Sequence, residues 1–189
     1  MTAHFAKTTK KNLGYDPAEV DALVDQARSI FALGDASVAD EGFIRNSQFS
    51  LVKGGYEIAL VDAALDRLDD AFGLQVARST IRRHGFDASR EKLTNWRDTL
   101  LARTKRGKNK AFDSAGAFSK GYHRKQVDVA LGNIAAHLEG SAKLTTAQLR
   151  EVKFKPVTGG YKEAQVDAYL DRAVDFVNLE QAIGSAQTF

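Results

Sequence analysis

Apolar residues recur in steps of four, three and four at four places along the chain. The runs are Val20, Val24, Ala27 and Phe31; Val61, Leu65, Leu68 and Phe72; Val127, Leu131, Ile134 and Leu138; and Val166, Leu170, Ala173 and Val177. That rhythm puts each set on one stripe of a helix, and the same spacing is a short coiled-coil seam. It predicts helices over 17–33, 57–84, 124–139 and 163–183, with further helices over 89–104 and near 145–152.

Each stripe is preceded by the same few residues. Gly14-Tyr15 stands before Val20-Asp21, Gly55-Tyr56 before Val61-Asp62, Gly121-Tyr122 before Val127-Asp128, and Gly160-Tyr161 before Val166-Asp167, always with four residues between. Four matches at one spacing mark an internal repeat. An aromatic residue lies upstream of each pair: Phe5, Phe49, Phe112 or Phe118, and Phe154. Copies two and four carry Phe six residues before the Gly, with Ile44 or Leu149 five residues earlier still. Copies one and three carry Phe nine residues before it. The chain therefore reads as a duplicated pair.

The motif has a mechanical meaning. In copy one, Asp16 suits a helix N-cap and Pro17 suits N1, where its missing N–H costs nothing. Glu19 then falls at N3, placed to close a capping box, and Tyr15 and Val20 occupy the two positions of a hydrophobic staple. Gly14 is expected to supply a turn of positive φ. The other copies hold Glu57, His123 and Lys162 at the cap position, so packing has to carry more of their helix starts. A single Asp in a first turn is ordinarily a solvated charge near the helix dipole. The recurrence of Asp21, Asp62, Asp128 and Asp167 at one position favours a structural hydrogen bond instead.

These readings give an all-α fold: tandem short helix-loop-helix modules whose helices pair as short seams, with two pseudo-dimeric halves as one arrangement. Pairing within and between chains both remain open. Expected divisions are 1–84 as the first module pair, 85–110 as a helix plus basic linker (RTKRGKNK, from Arg103 to Lys110), and 111–189 as the second pair. A chain of 189 residues with 43% hydrophobic and 27% charged residues builds a real core. The chain has no cysteine, so disulfides and thiolate chemistry are excluded. No run approaches the roughly 18 apolar residues of a membrane span, and the polar, basic start lacks a signal-peptide core. A cytoplasmic protein is expected. The net charge of +3 permits weak attraction to anionic surfaces.

Catalytic signals are absent from the pattern. His4, His84, His123 and His137 do not fall at metal-ligand spacing, and Asp69-Asp70 diverge around the helix. Gly54-Gly55 and Gly159-Gly160 lack the strand and Lys-Ser/Thr of a phosphate loop. Trp96 reads as a packing residue. No enzyme activity, cofactor or metal is expected.

The succession of Phe, Gly-Tyr, Val-Asp and Leu resembles the N-terminal domain of DivIVA-type proteins. Copy four carries the fullest match: Leu144-Thr145, Leu149, Phe154, Gly160-Tyr161, Gln165-Val166-Asp167 and Tyr169-Leu170. The likeness covers about half of the chain, in four short blocks. It implies a non-enzymatic scaffold or adaptor of bacterial cell division or polar growth, peripheral at membrane, septum or pole. Its partners would be proteins of the division or wall-growth machinery, with self-association. The chain departs from the family in lacking a long heptad tail and in repeating the head. In the family, an apolar and a basic residue just before Gly-Tyr touch lipid. Here Leu13 is the large apolar residue at that place, and Lys10, Lys11, Lys53 and Lys120 are its basic company. The alternative is a basic helical protein associated with nucleic acid, resting on RTKRGKNK and Arg82-Arg83-His84.

Overall fold

The computed structural model describes residues 5–33, 43, 44 and 47–186, so His4 lies outside the described residues. The fold is mainly helical, with 62% helix and 9% strand. Two compact units divide the chain, Met1–Ser79 and Thr80–Phe189, and the boundary falls inside one helix.

In the first unit, strand β1 (Leu13–Tyr15) leads into helix α1 (Pro17–Ala32), and strand β2 (Leu51–Lys53) precedes helix α2 (Ile58–His84). The strands pair antiparallel, with Leu13 opposite Lys53, Gly14 opposite Val52 and Tyr15 opposite Leu51. Asp16 caps α1 by accepting from the Ala18 N–H, with Pro17 at the helix start. Both helices depart from the same small sheet, so their apolar stripes run side by side and parallel. Val20, Val24, Val61 and Leu65 form the layers nearest the sheet. Ala27, Ile30, Leu68, Phe72 and Val76 form those further along.

The second unit repeats this plan. Strand β3 (Lys120–Tyr122) leads into α4 (Arg124–Leu138), and a short helix α5 (Thr146–Arg150) and strand β4 (Pro156–Thr158) lead to α6 (Glu163–Ala186). Here Lys120 faces Thr158, Gly121 faces Val157 and Tyr122 faces Pro156. The cap of α5 is a complete capping box between Thr145 and Gln148. At α4, His123 gives no side-chain cap, as its side chain predicts.

This unit also holds helix α3 (Phe86–Thr104). The Tyr169 hydroxyl donates to the Leu100 carbonyl, and the Arg172 guanidinium lies 4.7 Å from the centre of the Trp96 ring. As the number rises along α6 it falls along α3, so α3 runs antiparallel to the pair. The position of α2 that matches Tyr169 in the repeat is Ala64, which has no hydroxyl or ring to reach a third helix in this way.

The strands are an addition to the predicted helical plan. Each is three residues long with no clear alternation, so the sequence pattern carries no strand signal there. The stretch expected as a basic linker is also folded. It turns back beside α4, with the Asn109 N–H donating to the Asp128 carboxylate and Arg124 donating to the Asn109 carbonyl.

Candidate functional site

The four Gly-Tyr pairs meet two by two. Tyr15 and Tyr56 exchange backbone hydrogen bonds of 3.0 and 2.8 Å, and Tyr122 and Tyr161 exchange two of 2.9 Å. A Cβ on Gly14, Gly55, Gly121 or Gly160 would come within 3.0 Å of backbone across the crossing. Glycine is needed here for close approach. Gly14 does not have the positive φ expected of it. The left-handed glycines are the preceding ones in copies two and four, Gly54 and Gly159, each at φ 70°.

Each tyrosine is then held by the opposite module. Tyr15 packs on Phe49 and Tyr56 on Phe5; Tyr122 packs on Phe154 and Tyr161 on Phe112, all with ring centres 5.1–5.4 Å apart. The hydroxyls cross as well. Tyr161 donates to Asp128 at 2.9 Å, and Tyr56 lies 3.3 Å from both Asp21 oxygens. Tyr15 faces Asp62 and Tyr122 faces Asp167 in the same crossed sense, close enough for each carboxylate to raise the phenol's pKa. Asp21 and Asp128 thus accept from the other module's tyrosine, Asp62 and Asp167 face theirs, and the clamp that spacing suggested within a helix start joins two modules.

Burial holds all four phenols protonated above the ordinary tyrosine range, and the facing carboxylates add to it. Tyr122 and Tyr161 are pushed up to about 12. Burial also raises Asp167, with Asp171 and Glu163 adding to the rise and the Tyr122 bond opposing it. Tyr161 is the most enclosed, at 0% exposed. Its oxygen also accepts from the Ala111 N–H, and the Arg124 guanidinium lies 5.3 Å from its ring centre.

Glu19 does not close a capping box on its own helix. Its carboxylate accepts from the Ser50 N–H at 2.6 Å and the Ser50 hydroxyl at 2.9 Å. Gln126 accepts from the Lys155 N–H in the same way, and Gln165 exchanges two bonds with Asp113. The fourth copy of this position is Leu60, which is exposed. A carboxylate or amide gains more by pairing the orphan N–H of a crossing strand than by bending back to its own helix start.

Beyond the crossing, each unit ends in a tight turn. In the first unit the Asn12 N–H bonds the Thr9 carbonyl, which puts Lys10 and Lys11 at the apex. The Gly54 N–H closes on the Asn12 carbonyl. Leu13 is 53% exposed with Lys53 beside it in the cross-strand register, and Leu51, 51% exposed, stands two positions further from the turn, opposite Tyr15. In the second unit the corresponding bonds are Ser119 to Gly116 and Gly159 to Ser119. The apex there is Ala117-Phe118, and Phe118 is wholly exposed, at 101%. No family model, curated protein or solved structure matches the chain.

The structure therefore gathers Lys10, Lys11, Leu13 and Lys53 at one tip and places Lys120 at the other. The sequence pattern did not assign Phe118 to a tip. A signal for Phe118 was present. Phe112 matches Phe5 in distance to its Gly, which leaves Phe118 spare. No helix among the described residues is long and apolar enough to cross a membrane.

Proposed function

We propose that this chain is a non-enzymatic, DivIVA-like scaffold of bacterial cell division or polar growth. It would meet an anionic membrane surface through its turn tips and bind proteins of the division or wall-growth machinery. The observation that carries this reading is the tip itself: exposed apolar side chains among lysines, at the end of a crossing that fixes them. In the first unit Leu13 stands with Lys10, Lys11 and Lys53; in the second, Phe118 stands near Lys120.

Charge distribution supports the same orientation. The tip segments 5–15 and 49–55 hold Lys7, Lys10, Lys11 and Lys53 and no acid. The helices behind them, α1 and α2, carry Glu19, Asp21, Asp25, Asp62, Asp66, Asp69 and Asp70 against Arg28, Arg67, Arg78, Arg82 and Arg83, a net negative balance. A negative surface attracts the first set and repels the second. Each lysine near such a surface contributes about 1 kcal/mol, and one inserted apolar side chain about 1.5–3 kcal/mol. Several such contacts on one chain add as linked sites.

The test pairs localisation with vesicle sedimentation. A fluorescent fusion is expected to enrich at septa or poles, and purified protein is expected to sediment with anionic vesicles. A diffuse signal together with no sedimentation overturns the reading. The alternative, a nucleic-acid-associated protein, rests on the cations of the Arg103–Lys110 stretch. It predicts a steep salt dependence in gel shifts.

A further inference from the structure

The basic stretch after α3 is a built loop. Gly107 sits at φ 88° and Asn109 at φ 60°, the latter a left-handed conformation uncommon outside glycine. The Arg106 N–H bonds the Arg103 carbonyl, and the Lys110 N–H bonds the Gly107 carbonyl. Asp128 takes the Asn109 N–H at 2.8 Å. Lys105, Arg106, Lys108 and Lys110 are all exposed, and no ion pair joins any of them to a described residue.

The loop also adjoins the tip of its unit. One guanidinium bonds both. Arg124 donates to the Asn109 carbonyl at 3.1 Å, and through two nitrogens to the Gly159 carbonyl at 3.0 and 2.8 Å. Gly159 in turn closes the turn that raises Phe118. The unpaired cations and the exposed aromatic are therefore fixed to one end of one unit.

From this we infer that the loop bearing Lys105, Arg106, Lys108 and Lys110 is a second contact for anionic lipid headgroups, engaged when Phe118 enters the apolar layer. The inference rests on the lipid-facing reading of the tips and adds charge selectivity to it. A polyanion without exposed bases, such as a nucleic-acid duplex, would satisfy the cations and leave Phe118 in solvent, and a single strand is the competitor the test must exclude. A lipid surface offers an anionic layer and an apolar layer at adjoining depths, matching both. The two tips would then work by different means. The first has its lysines at the turn apex, and the second has an aromatic apex with its cations on the flank.

The experiment uses the full chain and vesicles of phosphatidylcholine, alone or mixed with phosphatidylserine. The variants are Phe118→Ser and the quadruple change Lys105→Gln, Arg106→Gln, Lys108→Gln and Lys110→Gln. All these side chains are exposed, so the fold is expected to melt as the wild type does. The quadruple variant should lose about 100-fold or more in affinity for the mixed vesicles, with a shallower dependence on salt. Its residual binding to phosphatidylcholine should be unchanged. Phe118→Ser should weaken binding to both compositions. If the quadruple variant keeps wild-type affinity and salt dependence while Phe118→Ser loses binding, the loop inference is overturned and the tip reading stands. If wild-type protein binds neither vesicle, both fall. Binding of a single-stranded oligonucleotide through these cations, without vesicle binding, overturns the inference in favour of a nucleic-acid partner.

Discussion

Tyr161 shows how much one side chain can carry. Its ring is enclosed by Phe112 and Arg124, and its oxygen serves Asp128 and the Ala111 N–H together. Tyr161→Phe removes both hydrogen bonds and leaves the Ala111 N–H without its partner, so a loss of about 1–3 kcal/mol is expected. Tyr161→Ala adds the cavity of a missing ring and should cost about 3–5 kcal/mol. Chemical denaturation of the two variants measures the difference; equal midpoints would refute the account. The phenols also predict an alkaline limit. An unfolded tyrosine loses its proton near 10, whereas Tyr122 and Tyr161 hold theirs to about 12. This contribution to stability is whole below pH about 10 and is lost as pH rises through about 12. Absorbance of phenolate against pH, read beside a far-ultraviolet signal, should show late ionisation together with unfolding. Early ionisation in a folded chain would contradict it.

At the scale of elements, the helices were legible and the strands were not. A four-three-four stripe is read directly, and the ends of α1, α2 and α4 fall within one or two residues of expectation. Asp16-Pro17 announced the start of α1 because cap chemistry is local. The strands depend on a partner far along the chain, and Gly14 illustrates the consequence. From its neighbours it looked like a turn glycine; its real constraint is the Tyr56 carbonyl in another module. Glu19 failed as a capping-box residue for the same reason. Val166 lies in the layer nearest the sheet at 1% exposed. Val166→Asp should therefore cost about 3 kcal/mol or more, because a carboxylate there has no water. A melting temperature within error of wild type would count against the seam.

For the whole molecule, the pairing of copies one with two and three with four follows the duplication seen in the sequence. Whether the pairs would close within one chain was open there, because identical motifs carry no label for which copy they meet. The absence of native cysteine makes the answer easy to check. Leu13→Cys with Lys53→Cys, or Lys120→Cys with Thr158→Cys, places two thiols at facing strand positions. Mild oxidation should give a cross-link within one chain, seen as a faster band of monomer mass without reductant. Covalent dimers as the main product would show pairing between chains. The loop at Arg103–Lys110 and the apex at Phe118 were the least legible parts. Composition marks such stretches as connectors, and only the bonds of Arg124 and Asp128 reveal that they are held.

Tethering two matched heads in one polypeptide has an evolutionary side. In an assembly of identical subunits every substitution appears at both ends of the axis, and neither end can specialise. Here the matching positions of copies one and two hold Glu19 and Leu60, and the matching apices of copies one and three hold Lys11 and Phe118. Each position differs independently of its match, so a single chain furnishes contacts that two identical subunits could not make unequal.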